Sequence, residues 1–191
     1  MKKAFPISLM ILGLVFLGAG VYTMFRGFDA KDQVRDELVA QNITTPEDAR
    51  IPNVTVDDPA SAKAMADIIG VHALEATSGE TYAEMGRYLA TDGGATNDEA
   101  LAMTDDKGNP IANPLRNVAF QASSLRTSLY TSVMAFNVSD LVIGLGLMIV
   151  VLGLAVGGMG VALAGLVIPS FSRKLHVDAV AAEYHGTATA H

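Results

Sequence analysis

The sequence predicts an all-α membrane protein with two transmembrane helices flanking a mostly helical extracytoplasmic loop domain, the second helix long and protruding. Three observations predict it. Residues 4–25 and 141–168 are uncharged runs of 22 and 28 residues. The 106 residues from 27 to 132 hold 17 of the 20 acidic and 8 of the 13 basic residues, a net of 8 − 17 = −9. Basic pairs, Lys2-Lys3 and Arg173-Lys174, stand on the terminal side of each apolar run.

The organisation expected along the chain is therefore a tail and first span over 1–26, an extracytoplasmic helical segment over 27–132, a second span over 133–168 and a cytoplasmic tail over 169–191. As helices, the two uncharged runs would be about 33 Å and about 42 Å long at 1.5 Å per residue, against a hydrocarbon layer of roughly 30 Å. The second must tilt or protrude. The terminal basic pairs place both ends in the cytoplasm by the positive-inside rule, with Arg26 a weak counter-signal. This gives a multi-pass protein of the plasma membrane, in contact with lipid. Small residues at Gly18-Ala19-Gly20 fit the cleavage region of a secretory signal as an alternative, but the first span is read as a retained anchor.

Within 27–132, Asp29 to Gln41 reads as a charged helix continuing from the first span. Residues 42 to 56, with Pro46 and Pro52, read as an extended connection. Asp58 can cap a helix that has Pro59 in its first turn and that Gly79 stops near Thr77. Its apolar stripe is Ala62, Met65, Ala66, Ile69, Ala73 and Ala76. Thr81 to Leu89 reads as a second short helix, and short helices rather than a sheet are expected throughout. Residues 104–113 are rich in turn formers. Asn113-Pro114 starts a last helix, and no further proline interrupts it before Pro169, so up to 55 residues can be helical. There is no internal repeat or low-complexity run.

On that last helix, Val118, Ala122, Leu125, Leu129, Val133 and Phe136 recur at helical spacing, with Asp140 on the same face. Leu125, Leu129, Val133, Phe136 and Asp140 are the expected outer partner contacts, Arg116 and Arg126 adding ion pairs at the rim. Asp140 is the only charged side chain between Arg126 and Arg173; a proton-relay role would need further such groups, so it reads as the membrane boundary. Gly146, Gly153, Gly157 and Gly160 lie near one face of the second span, with Ala164 continuing it. Gly153 and Gly157 form a small-xxx-small pair suited to close helix packing. The partner could be the first span, a second copy or another subunit.

Composition excludes several activities. Without cysteine there is no disulfide, thiolate metal site or Cys nucleophile. A net charge of −7 with no basic cluster argues against nucleic acid. Of the four histidines only His72 lies in the outer segment, so no two-His-plus-carboxylate triad can assemble on one side of the membrane. His72 reads as structural, and no phosphate-binding glycine loop is present. No catalytic, cofactor-binding or metal residues are assigned, and no cofactor is expected. Asn42-Ile43-Thr44 and Asn53-Val54-Thr55 match the glycosylation acceptor pattern.

The stretches His72-Ala-Leu-Glu-Ala-Thr-Ser-Gly-Glu-Thr-Tyr-Ala-Glu84 and Ser124-Leu-Arg-Thr-Ser-Leu-Tyr-Thr-Ser-Val-Met-Ala-Phe136 resemble a family of small actinobacterial membrane proteins. Its members have two spans and an outward helical loop, and are often labelled aromatic ring-opening dioxygenases. The histidine distribution argues against that label. The resemblance covers about two thirds of the chain; the segment from about Ala90 to Ala112 is longer than in the family. In size and layout the chain also resembles a small accessory subunit of the actinobacterial respiratory supercomplex of cytochrome bcc and cytochrome c oxidase. That resemblance implies a non-enzymatic subunit, carrying no haem or copper, that supports assembly or stability alongside the cytochrome subunits. Two other classes remain open: a self-associating envelope protein joined through Gly153 and Gly157, and a membrane-bound enzyme or receptor with an acidic outer site around His72.

Overall fold

The computed structural model describes residues 4–187, with side chains described from 4 to 165. The basic residues used for orientation, Lys2, Lys3, Arg173 and Lys174, and the histidines after 165 therefore lie outside the described side chains. The chain is mostly helical, and two of its helices are long and apolar enough to cross a membrane.

Helix α1 runs Ala4–Ala40. The uncharged run and the charged stretch after it form one helix, because the only proline, Pro6, sits in the first turn, where its missing N–H has no helical partner to lose. Helix α2, Pro59–Ala76, begins as its sequence predicts. The Asp58 carboxylate accepts from the Ser61 N–H at 2.7 Å, and the Ser61 hydroxyl accepts from the Asp58 N–H at 3.2 Å. This reciprocal pair satisfies two backbone donors that the first turn leaves unbonded. At the other end Ser78 and Gly79 turn left-handed, and the Gly79 N–H returns to the Leu74 carbonyl at 2.7 Å.

The intervening residues 42–56 fold back on themselves rather than simply extending. Thr44 bridges Thr55, and the Val56 N–H donates to the Ile43 carbonyl. Asn42 and Asn53 make the reversals at positive φ, a conformation that asparagine tolerates better than most residues. Thr45, wholly buried, holds the loop by taking the Val54 N–H on its hydroxyl.

The expected helix over 81–89 is not formed, and the expectation of helices alone is corrected by a small antiparallel pair, β1 (Tyr88–Leu89) and β2 (Ala95–Thr96). One turn does start at Thr81, whose N–H and hydroxyl both donate to the Glu84 carboxylate. It stops because the backbone of β2 lies directly against Gly86, leaving no room for a side chain. Gly93, at φ +90°, then reverses the chain between the strands. Single bridges Tyr88–Ala112, Ala90–Ala102 and Thr104–Pro110 extend this lobe through the turn-rich segment.

Helix α3 runs Pro114–Thr187. The Asn113 side chain accepts from the Leu115 N–H at 3.1 Å, forming the predicted start. Its end departs from expectation, because the helix passes through Pro169 instead of stopping there. A proline removes one backbone bond without forbidding continuation.

The chain divides into two compact units: 1–29 with 140–191, and 30–139. The division in α3 falls at 139/140, later than the 132/133 border that charge alone suggests, and Phe136 belongs with the 30–139 unit. That unit is a three-helix arrangement. Leu38 of α1, Ala62 and Ala66 of α2, and Leu129 and Phe136 of α3 meet with Val56 in its core, flanked by Val34, Ile43, Met65, Ile69 and Val133. Ala64 and Ile68 of α2 are buried as well, so this helix is covered on more than its predicted stripe. His72, on the same face one turn further, meets Asp48 of the 42–56 loop.

Candidate functional site

In the unit of 1–29 with 140–191, the glycines predicted to pack do so against α1. A side chain at Gly13 would stand 2.5 Å from the Gly157 Cα and 2.7 Å from the Gly153 carbonyl oxygen. One at Gly20 would meet the Gly146 carbonyl at 2.7 Å, and one at Gly160 the Pro6 carbonyl at 2.8 Å. At Gly13, Gly20, Gly146, Gly153 and Gly160 the facing helix comes within 3.0 Å of where a Cβ would stand, an approach that glycine permits, whereas a Cβ at Gly157 would sit at an ordinary 3.7 Å. Of the three partners open in the sequence, the first apolar helix is the one in place. By contrast Gly18, Gly144 and Gly158 face open space.

The outer partner contacts expected at Leu129 and Phe136 are corrected. Phe136 is 1 % exposed and Leu129 also buried, both covered by the chain's own α1 and α2. The later part of the stripe, Leu129, Val133 and Phe136, packs under α1 and α2, whereas Val118 and Leu125 stay exposed. Val133 flanks the same core. Leu125, 56 % exposed, and Asp140 remain at the surface.

Arg116 and Arg126 are clasps to backbone carbonyls rather than rim ion pairs. Arg126 Nε donates to the Ala66 carbonyl at 3.1 Å, its guanidinium lying against Gly70, where any side chain would block it. Arg116 donates to the Met85 carbonyl and stacks 4.1 Å over the Tyr82 ring, which in turn meets Phe120. No sequence pattern announces these pairings, since each joins residues 31 or 60 positions apart.

The exposed carboxylates have particular partners. The His72 ring beside Asp48, 2.6 Å away, holds that carboxyl below its usual range. Lys63 and then the Tyr130 hydroxyl do the same for Asp67, tying α2 to α3. The Ser61 N–H lowers Asp58, and the Asn109 N–H lowers Asp105 in its turn. Among the described residues no three His, Asp or Glu side chains stand close enough to hold a metal ion.

A groove of about 1010 Å³ lies between α1 and α3 within 30–139. Val34, Leu38, Ile43, Met65, Ile69, Leu125 and Leu129 supply its apolar lining. Polar residues border it: exposed Gln33, Asp36, Glu37 and Gln41 from α1, and exposed Ser128 and Thr131 with half-buried Ser132 from α3. Sequence reading finds Leu125 and Leu129 but misses the groove, because its α1 side is set by tertiary packing. Comparison of the chain with protein-family models, with curated proteins and with solved structures found no match.

Proposed function

We propose that the chain is an integral membrane protein with both termini cytoplasmic and residues 30–139 outside, and that it acts as a non-catalytic accessory subunit of a larger membrane assembly. One observation carries the reading. Only 17 % of the most apolar stretch of α1, and 11 % of that of α3, is buried within the chain. The core helix of a soluble protein would be mostly covered, whereas Leu14, Phe25, Met148 and Leu154 stand open. Lipid and neighbouring subunits are the surroundings that such surfaces match.

The glycine seam supports the same reading. It joins the two apolar helices into a pair and occupies Gly153 and Gly157, which counts against a homodimer through those residues. The assembly to which the sequence resemblance points is the cytochrome bcc–cytochrome c oxidase supercomplex, where this chain would support assembly or stability. Purification of the tagged chain from its native membrane in mild detergent, followed by mass spectrometry and a visible spectrum, tests the proposal. Cytochrome subunits with haem bands are expected. A colourless eluate holding this chain alone overturns it.

A further inference from the structure

We infer that the groove between α1 and α3 in the 30–139 unit receives a basic amphipathic helix of a partner protein; the inference deepens the accessory-subunit reading and rests on it. The two walls differ chemically. On the α3 side, the hydroxyls of Ser128 and Ser132 donate back to carbonyls of their own helix, at 3.1 and 3.3 Å. Beyond the exposed Leu125, that wall therefore presents two small side chains whose donors are satisfied, at a four-residue spacing. Small residues at this spacing let a helix backbone approach closely.

On the α1 side stand Asp36 and Glu37, both exposed. No Lys or Arg lines the groove, and neither acid makes an ion pair among the described residues. Arg35, their neighbour in sequence, is engaged with Asp57 instead. The complement of these walls has an apolar face for Leu125 and the floor beneath it, and a Lys- or Arg-bearing flank on the α1 side. A helix resting on α1, α2 and α3 would complete a four-helix packing over the exposed apolar lining.

The test uses the full chain in nanodiscs of zwitterionic lipid, titrated with a fluorescent 18-residue helical peptide of leucine on one face and lysine on the other, with empty nanodiscs subtracted. Saturable binding of one peptide per chain is expected, and the leucine–glutamate analogue should bind at least tenfold more weakly. Raising the salt should weaken the lysine peptide. Leu125→Glu, at an exposed position, and the double reversal Asp36→Lys with Glu37→Lys should each reduce binding at least tenfold while leaving the thermal melt unchanged. A photo-crosslinker at position 125 in native membranes should capture a Lys- or Arg-flanked helical segment of another protein.

Absence of peptide binding, or binding that ignores these variants, overturns the inference. So does a crosslink to lipid or to a second copy. If groove variants lose the peptide but cytochromes fail to co-purify with the wild-type chain, the supercomplex reading fails and the groove stands. If cytochromes co-purify while the peptide does not bind, the groove alone is wrong.

Discussion

Asp58 shows how much a single side chain can decide when its partners are local. The sequence identifies Asp58 as a cap before Pro59, and the structure adds that Ser61, at the third helical position, makes the cap reciprocal. Asp58→Ala should destabilise the 30–139 unit by about 1 kcal/mol, within the range of roughly 0.5–2 kcal/mol for such caps, as measured by chemical unfolding of the purified chain. The same residue gives a pH dependence. Its folded pKa is lowered, mainly by the Ser61 N–H, as Asp48 is by His72 and Asp67 by Lys63. A carboxyl with a lowered folded pKa contributes stability above its unfolded value, about 3.9, and loses it as pH falls through the folded value. Melting temperature should therefore hold steady near neutrality and fall below about pH 4, and Asp58→Ala should flatten that fall. Phe136 acts at the opposite extreme of distance. Buried in one core with Leu38 and Ala66, it joins helices far apart in sequence, and Phe136→Ala should cost about 3–5 kcal/mol in the same unfolding measurement.

At the scale of elements, legibility follows the range of the forces involved. The start and end of α2 are set by neighbours within a few residues, and they lie where the sequence places them. The β1–β2 pair depends on contacts between residues 86–90 and 94–112, which no local pattern encodes, and the turn at Thr81 imitates a helix start. The period of Leu129, Val133 and Phe136 reveals a packed face, but periodicity names no partner, and the chain's own α1 and α2 turn out to be the cover. Gly146, Gly153, Gly157 and Gly160 are likewise legible as a seam, and the structure adds that α1 fills it. Gly13→Leu should open this seam, because the backbone at Gly157 stands 2.5 Å from the added Cβ and cannot swing aside as a side chain could. The cysteine-free sequence allows spin labels at Ser8→Cys and Val161→Cys without background. Their distance distribution should broaden with Gly13→Leu and stay unchanged with Gly18→Leu, whose side chain would point into open space.

For the whole molecule, the proposed arrangement follows from the distribution of charge and of uncovered apolar surface. It puts the net −9 of residues 27–132 in water, and the apolar stretches of α1 and α3, 17 % and 11 % buried within the chain, in lipid or against other membrane subunits. The proposed accessory role rests on residues 30–139 facing the outside. Single cysteines introduced in turn at Asp106, exposed in its turn, and at Lys2 report this directly through a membrane-impermeant maleimide on intact cells. Asp106→Cys should label at once, and Lys2→Cys only after the membrane is permeabilised. Labelling of Lys2→Cys from outside while Asp106→Cys stays protected, or protection of both until lysis, would contradict the arrangement.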